Sequence, residues 1–187
     1  MSPQTMQDEA RVTASVDSGF PPIVGSDPAV LVLGSLPGKK SIAEQQYYAH
    51  PQNAFWKIMG ALFEARAESS YEERVSVLKE NRIALWDVLQ SSMRPGSLDA
   101  SIRVQGASCN DLLSFLHRHS GIRAICFNGK KAEDLFVRLA APVVLRQYPA
   151  LKFEALPSTS PAHAAMPYDE KLRRWTIVKT MVGQSRD

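Results

Sequence analysis

Four short strand-like segments alternate with segments of helical spacing, and this alternation limits the fold more than any other feature of the chain. Continuous apolar runs are typical of strands that are buried on both faces of a parallel sheet. Strands separated by helices join one sheet through right-handed crossovers. The sequence therefore predicts an α/β fold with three α/β/α layers around a central, mostly parallel four-stranded sheet. The predicted strands span residues 29–33, 83–87, 124–127 and 152–156.

Helical spacing of apolar residues predicts five helices between and after these strands. They span residues 53–65, 71–80, 110–119, 129–139 and 168–182. Residues 1–20 are polar and lack periodicity, so we expect a flexible N-terminal tail there. Residues 21–187 are expected to form a single domain, because the chain is long enough for one substantial core.

Composition excludes several classes of protein. Hydrophobic residues make up 44% of the 187 residues and charged residues 22%, as in an ordinary globular chain. No run approaches the roughly 18 apolar residues of a membrane helix, and the polar N-terminus resembles no secretory signal. We therefore expect a cytoplasmic protein without a membrane partner, and separately we expect a monomer. The net charge of +3 permits a polyanionic partner but does not demonstrate one.

Cysteine and histidine usage argues against a bound metal. The two cysteines, Cys109 and Cys126, are too few for a disulfide framework or for a cysteine-held zinc or iron–sulfur site. Both have apolar neighbours, so reduced packing residues are expected. His50 and His163 have no metal-site spacing. We expect neither a metal nor any other cofactor.

Unusual segments follow each of the predicted strands. Ligands of parallel sheets bind beyond the carboxyl ends of the strands, so these segments are expected to converge at one edge. The segment Gly34–Gly38 with Lys39 and Lys40 differs from a nucleotide-binding P-loop, which needs one more residue between its glycines and Ser or Thr directly after its lysine. The four segments are Gly34–Gly38, Asp87, Asn128–Lys131 and Pro157–Pro161.

Three segments resemble the uracil-DNA glycosylase superfamily: Gly34–Gly38, Tyr48–Trp56 and Pro157–Ala162. The resemblance covers about residues 30 to 182, and the spacing looks closest to the hypoxanthine-DNA (deoxyinosine) glycosylase branch. It implies a uracil-DNA-glycosylase-like fold and a partner, DNA, that contains a deaminated base.

The chain departs from the superfamily at two catalytic positions. Leu36 stands where mismatch-type members carry an asparagine and classical uracil enzymes use an aspartate in the same loop. Leu156 stands where the classical enzymes have a histidine. In the hypoxanthine branch the resemblance implies that Asn53 and Asn128 take over the catalytic roles, and both are asparagine here. The branch often has Ser-Pro-Ala-Asn where this chain has Ser160-Pro161-Ala162-His163.

The resemblance implies a monofunctional enzyme that extrudes a nucleotide, hydrolyses its N-glycosidic bond and leaves an abasic site. Asn53, which also suits a helix N-cap, would hold the attacking water. Tyr48 would stack on the base, and Asn128 and Asp87 would bond its edge. The turn of Gly34, Ser35, Leu36 and Pro37 would approach the extruded nucleotide closely, because glycine lacks Cβ. The predicted DNA contacts are Lys39, Lys40, Lys130, Lys131, Ser158, Ser160 and His163.

The segment from Ser158 to Met166 is poor in charge and carries prolines, as expected for a loop that fills the space left by an extruded base. His163 is its most versatile member, because its ring can stack and its nitrogens can bond a base or a phosphate.

Three alternatives remain open from the sequence. One is a uracil or G·T/G·U mismatch glycosylase. Another is a non-catalytic binder of damaged or single-stranded DNA, which would not need asparagine at positions 53 and 128. The third is a hydrolase of small nucleosides or nucleotides on the same fold.

Overall fold

The computed structural model describes residues 16–64, 69–93 and 106–184. The elements in chain order are β1 (Val16–Ser18), β2 (Val30–Gly34), α1 (Lys39–Glu44), α2 (Phe55–Phe63), α3 (Tyr71–Glu80), β3 (Ile83–Asp87), β4 (Leu89–Met93), β5 (Ser108–Cys109), α4 (Leu112–Arg118), β6 (Ala124–Asn128), α5 (Lys130–Leu139), α6 (Ala141–Gln147), β7 (Lys152–Leu156) and α7 (Tyr168–Gly183).

The central sheet has four parallel strands in the order β3-β2-β6-β7, which confirms the predicted fold class. Side chains alternate between its two faces, because successive residues of a strand point in opposite directions. Leu31 and Leu33 of β2 pack with α4, α5 and α6, whereas Val30 and Val32 pack with α2, α3 and α7. These two cores form the three layers.

A second, three-stranded antiparallel sheet in the order β1-β4-β5 is not anticipated by the sequence reasoning. Val16–Ser18 pairs with Ser91–Met93, so the predicted tail 1–20 is wrong for these residues. Residues 1–15 lie outside the described part of the chain. The polar strand Leu89–Met93 escapes an analysis based on apolar runs, because only Leu89 and Ser92 in it are buried.

The short helices α1 and α6 were also not predicted, and the predicted helix 53–65 begins at Phe55 rather than Asn53. Cys126 lies in the core, where burial raises the pKa of its thiol to about 12, and Cys109 is also free. None of the helices in the described ranges is both long enough and apolar enough to cross a membrane.

The register of the central sheet positions the functional edge. Gly34 at the end of β2 pairs with Asp87 at the end of β3. Asn128 at the end of β6 pairs with Leu156 at the end of β7. The loops that follow all four strands therefore leave the sheet at the same edge.

Candidate functional site

A cavity of about 340 Å³ opens at the carboxyl edge of the central sheet. Its volume is at the lower end of the roughly 300–1,000 Å³ typical of small-molecule sites. All four strand-end segments contribute to it, which confirms that they converge. The predicted site residues that line it are Ser35, Leu36, Pro37, Lys39, Lys40, Tyr48, Asn53, Asp87, Asn128, Ser158 and Ser160.

The inner end of the cavity is formed where β2 and β3 end together. Asp87 is buried, with 3% of its surface exposed. A Cβ on Gly34 would collide with Asp87 Oδ1 and would lie 3.1 Å from the Tyr48 hydroxyl. Gly34 is thus required for close approach of these side chains. Backbone hydrogen bonds from Val88 N to Gly34 O (2.9 Å) and from Leu89 N to Ser35 O (3.1 Å) fix the turn.

The aromatic wall comes from the loop between α1 and α2. Tyr48 has a φ of 54°, a left-handed conformation that is uncommon for an aromatic residue and that clusters at functional sites. Its ring packs on Phe55 with the centroids 4.2 Å apart. Burial, followed by the charge of Asp87, raises the pKa of the Tyr47 hydroxyl, so Tyr47 stays neutral. The Tyr48 ring is therefore held in place by its contact with the buried Phe55.

Asn53 lines the cavity and lies shortly before the start of α2. Its side-chain Oδ1 accepts a hydrogen bond from Phe55 N at 2.9 Å, and its backbone N–H donates to His50 O at 2.8 Å. The formal N-cap residue is Ala54, so the predicted N-cap at Asn53 is corrected by one position, although Asn53 does accept a bond from the helix terminus. A carboxamide can make four hydrogen bonds, so this contact leaves capacity for a water or a substrate.

Asn128 is joined to the loop after β7 by a reciprocal pair of hydrogen bonds. Its Nδ2 donates to Thr159 Oγ1 and its Oδ1 accepts from Thr159 N, both at 2.9 Å and both buried. Thr159 O in turn accepts from Ala54 N at 2.9 Å. Thr159 therefore links the two asparagine-bearing segments. Sequence reasoning did not single out Thr159, although it lies within one of the three family-like segments.

The loop after β7 is held by hydrogen bonds at its start and at His163, and its middle residues are exposed. The indole of Trp175 donates to Pro157 O at 3.0 Å, and Lys171 Nζ donates to His163 O at 2.9 Å. Residues 162–165 are exposed. His163 lies outside the first cavity and lines a neighbouring groove of about 760 Å³, as do Tyr48, Asn53 and Thr159. An exposed segment whose backbone is held in this way is suited to inserting into a partner.

The predicted phosphate-binding lysines differ in their surroundings. Lys39 pairs with the buried Asp17 at 2.6 Å, Lys40 pairs with Glu44 at 2.6 Å, and Lys130 pairs with Glu133 at 2.8 Å and Asp134 at 3.1 Å. No ion pair is found for Lys131 within the described ranges. Lys130 and Lys131 lie outside the lining of the cavity. A lysine that already has a carboxylate partner contributes less net charge to a polyanion.

Gly129 allows the loop after β7 to pass close to the start of α5. It has a φ of 94°, and a Cβ there would lie 2.8 Å from the Cβ of Ser158.

Among the residues that the structure describes, no group of three or more His, Cys, Asp or Glu could hold a metal ion.

With this geometry established, comparisons with known proteins identify the family. The model of the uracil DNA glycosylase superfamily matches residues 21–180. The chain belongs to the uracil DNA glycosylase superfamily. Its four-stranded parallel sheet with helices on both faces is therefore the glycosylase fold.

Two curated relatives within the superfamily are named hypoxanthine DNA glycosylase. The one from Methanosarcina acetivorans is 41% identical over 120 residues, which are 64% of this chain and 75% of the relative. The one from Methanosarcina barkeri is 37% identical over 117 residues, which are 62% of this chain and 73% of the relative. A solution NMR structure from Methanosarcina acetivorans, described as a uracil DNA glycosylase, is 32% identical with a TM-score of 0.74, and the match covers 90% of this chain and 99% of that one.

Proposed function

We propose that this glycosylase removes hypoxanthine from DNA and leaves an abasic site. The observation that carries the proposal is the pair of carboxamides, Asn53 and Asn128, lining one cavity with the Tyr48 ring. Leu36 lines the same cavity and stands at the position where other branches of the superfamily carry a polar catalytic group. The names of the two curated relatives support hypoxanthine as the base.

In the proposed reaction, the extruded base stacks on Tyr48 and is bonded at its edge by Asn128 and Asp87. The bond between C1′ of the sugar and the base nitrogen breaks through an oxocarbenium-like state. Water held by Asn53 forms the new C1′–O bond, one of its protons leaves to solvent, and the base departs carrying a proton. An amide is a weak base, so the acceleration comes from positioning and from stabilisation of the departing charge.

A monofunctional reaction is favoured by the state of the lysines. Lys39 lines the cavity, and its Nζ is held 2.6 Å from Asp17 Oδ1. Lys171 donates to His163 O in the neighbouring groove. A protonated or engaged amine is a poor nucleophile for a Schiff base.

The test is release of base from oligonucleotides that contain one hypoxanthine, uracil or xanthine, or a G·T mismatch. We expect the hypoxanthine strand to break only after treatment with alkali, because a monofunctional enzyme leaves the backbone intact. Release of uracil or thymine with hypoxanthine left intact would favour the alternative of a uracil or mismatch glycosylase. Tight binding with no release of any base would indicate a non-catalytic DNA binder.

The first further prediction concerns salt. Lys131→Ala should flatten the slope of log K against log salt by about 0.9 for duplex DNA, the change expected for one lost phosphate contact. Lys39→Ala, Lys40→Ala and Lys130→Ala should flatten it less, because each removal also frees a carboxylate. Fluorescence anisotropy at several salt concentrations measures the slopes.

Lys152→Ala is the matched control, because Lys152 starts β7 at the opposite edge of the sheet. Its slope should equal that of the parent protein. Slopes identical to the parent for all four tested lysines would remove them from the DNA footprint.

The second prediction concerns the exposed loop tip. If His163 helps to hold the duplex open, His163→Ala should slow hypoxanthine release more from a paired duplex than from a single strand, because unstacking costs a few kcal/mol only in the duplex. Single-turnover rates on both substrates give the comparison. Equal losses on both would place His163 at the chemistry, and no loss on either would make the loop a passive connection.

A further inference from the structure

Lys171 carries a buried amine that the proposed reaction does not use. It lies near the start of α7 and is 6% exposed, although it lines the groove of about 760 Å³ beside the cavity. Its Nζ donates one hydrogen bond, to His163 O at 2.9 Å, and has no second bond and no carboxylate partner within the described ranges. Burial lowers the pKa of this amine, as expected where no nearby anion compensates for the loss of water. Lysine is rarely buried without such a partner.

The other charges of the groove also favour an anion. Lys57 and Arg74 line it, and neither has an ion pair in the part of the chain that the structure describes. Their cationic groups lie over aromatic rings instead: Lys57 Nζ is 4.0 Å from the ring centroid of Tyr168, and Arg74 Cζ is 5.0 Å from that of Trp56. The acidic residue of the lining, Glu44, already pairs with a lysine at 2.6 Å. The groove is therefore basic.

The groove is continuous with the cavity, because Tyr48, Asn53 and Thr159 line both. A nucleotide extruded into the cavity stays joined to its neighbours in the strand by phosphodiesters. A strand that leaves the cavity past these shared residues finds hydrogen-bond donors and positive charge in the groove. An amine donates hydrogen bonds in either protonation state, and a phosphate beside it favours the ammonium form.

We propose that Lys171 binds a phosphate of the damaged strand where that strand passes from the cavity into the groove. The phosphate supplies the buried amine with the acceptors and the negative charge that its surroundings in the described chain do not provide. Because the same amine donates to His163 O, one group holds both the strand and the exposed loop. This inference rests on the proposed function, since it assumes that a nucleotide of the strand occupies the cavity.

The test is a scan of methylphosphonate linkages, each of which replaces one charged phosphate by a neutral group. The probes are duplexes with one 2′-fluoro-deoxyinosine, whose fluorine disfavours the oxocarbenium-like state and so slows release, and with one neutral linkage within two positions of it. We expect one linkage to weaken binding of the parent protein about tenfold or more, the scale of one hydrogen bond to a charged group. The same linkage should weaken binding of Lys171→Met by less than about threefold. Fluorescence anisotropy measures binding.

Lys179→Met is the matched control, because Lys179 is an exposed lysine about two turns further along α7. It should respond to each linkage as the parent does. A Lys171→Met protein that is as sensitive to that linkage as the parent would overturn the inference. A purely structural role predicts this outcome, because a displaced loop weakens binding of every duplex and leaves the effect of each linkage unchanged. A parent that is insensitive to every linkage would overturn it as well.

The parent protein alone gives a second test, which applies if Lys171→Met does not fold. The nitrogen NMR signal of Lys171 Nζ should shift when the unmodified duplex is added, and it should shift less with the neutral linkage that the scan identifies. Equal shifts with the two duplexes would contradict a contact between this amine and that phosphate.

The cleavage assay keeps the two claims separate. A parent protein that releases no hypoxanthine from DNA contradicts the proposed function. The linkage scan still tests Lys171 in that case, because it measures binding and requires no chemistry.

Discussion

Replacing Asn53 by alanine is expected to slow single-turnover release of hypoxanthine by about 100-fold or more, the scale of losing one positioned polar group at a reacting centre. Binding of a duplex that contains hypoxanthine should change little, because in the proposed reaction Asn53 holds water rather than the base. Quenched-flow kinetics with enzyme in excess measures the first quantity, and anisotropy measures the second.

The hydrogen bond from Phe55 N to Asn53 Oδ1 requires a control, because its loss alone should cost about 1 kcal/mol of unfolding free energy. Asn53→Ser keeps a side-chain acceptor suited to this helix terminus but cannot place a carboxamide toward the substrate. Asn81→Ala removes a carboxamide at the end of α3, where Asn81 Nδ2 donates to Val77 O at 2.9 Å. Release by Asn53→Ser as fast as by the parent, or by Asn81→Ala as slow as by Asn53→Ala, would contradict the catalytic role.

The parts of the fold that the sequence predicts correctly are those controlled by burial. The strands β2, β3 and β6 are buried along their whole length, and β3 and β7 match the predicted bounds. The strand ends converge because the strands are parallel, so the sequence alone predicts that Asp87 and Asn128 lie at the same edge of the sheet. Polar residues such as Asp87 and Asn128 stand out in the sequence because each ends an otherwise apolar strand.

The parts that escape prediction depend on pairing between distant polar segments. The only buried residue of the strand Val16–Ser18 is Asp17, which is polar, and its carboxylate pairs with Lys39 at the start of α1. The pair of Asn128 and Thr159 joins residues 31 positions apart. No periodicity encodes such contacts, and they alter the interpretation of predicted residues: Lys39 becomes half of an ion pair, and Asn128 becomes a link to a loop.

That link makes Asn128→Ala the change with the broadest expected effect. It removes both hydrogen bonds to Thr159 and leaves the buried Thr159 N–H without its acceptor, which should cost about 1–3 kcal/mol of unfolding free energy. The Thr159 loop should then move relative to the cavity. Together with the lost bond to the base edge, we expect hypoxanthine release to fall by roughly 10²–10³-fold. Thermal unfolding and single-turnover kinetics measure the two losses.

Thr159→Val separates the two roles of Asn128. Valine removes the hydroxyl that accepts from Asn128 Nδ2 but keeps the backbone N–H that bonds Asn128 Oδ1. Because a carboxamide can make four hydrogen bonds and Thr159 takes two, Asn128 has the capacity to hold the loop and bond a base together. We therefore expect Thr159→Val to lose less stability than Asn128→Ala, because one of the two hydrogen bonds remains, and to slow release at least tenfold less. Equal slowing by both variants would mean that Asn128 acts only through the loop, and that the base edge is bonded by other groups.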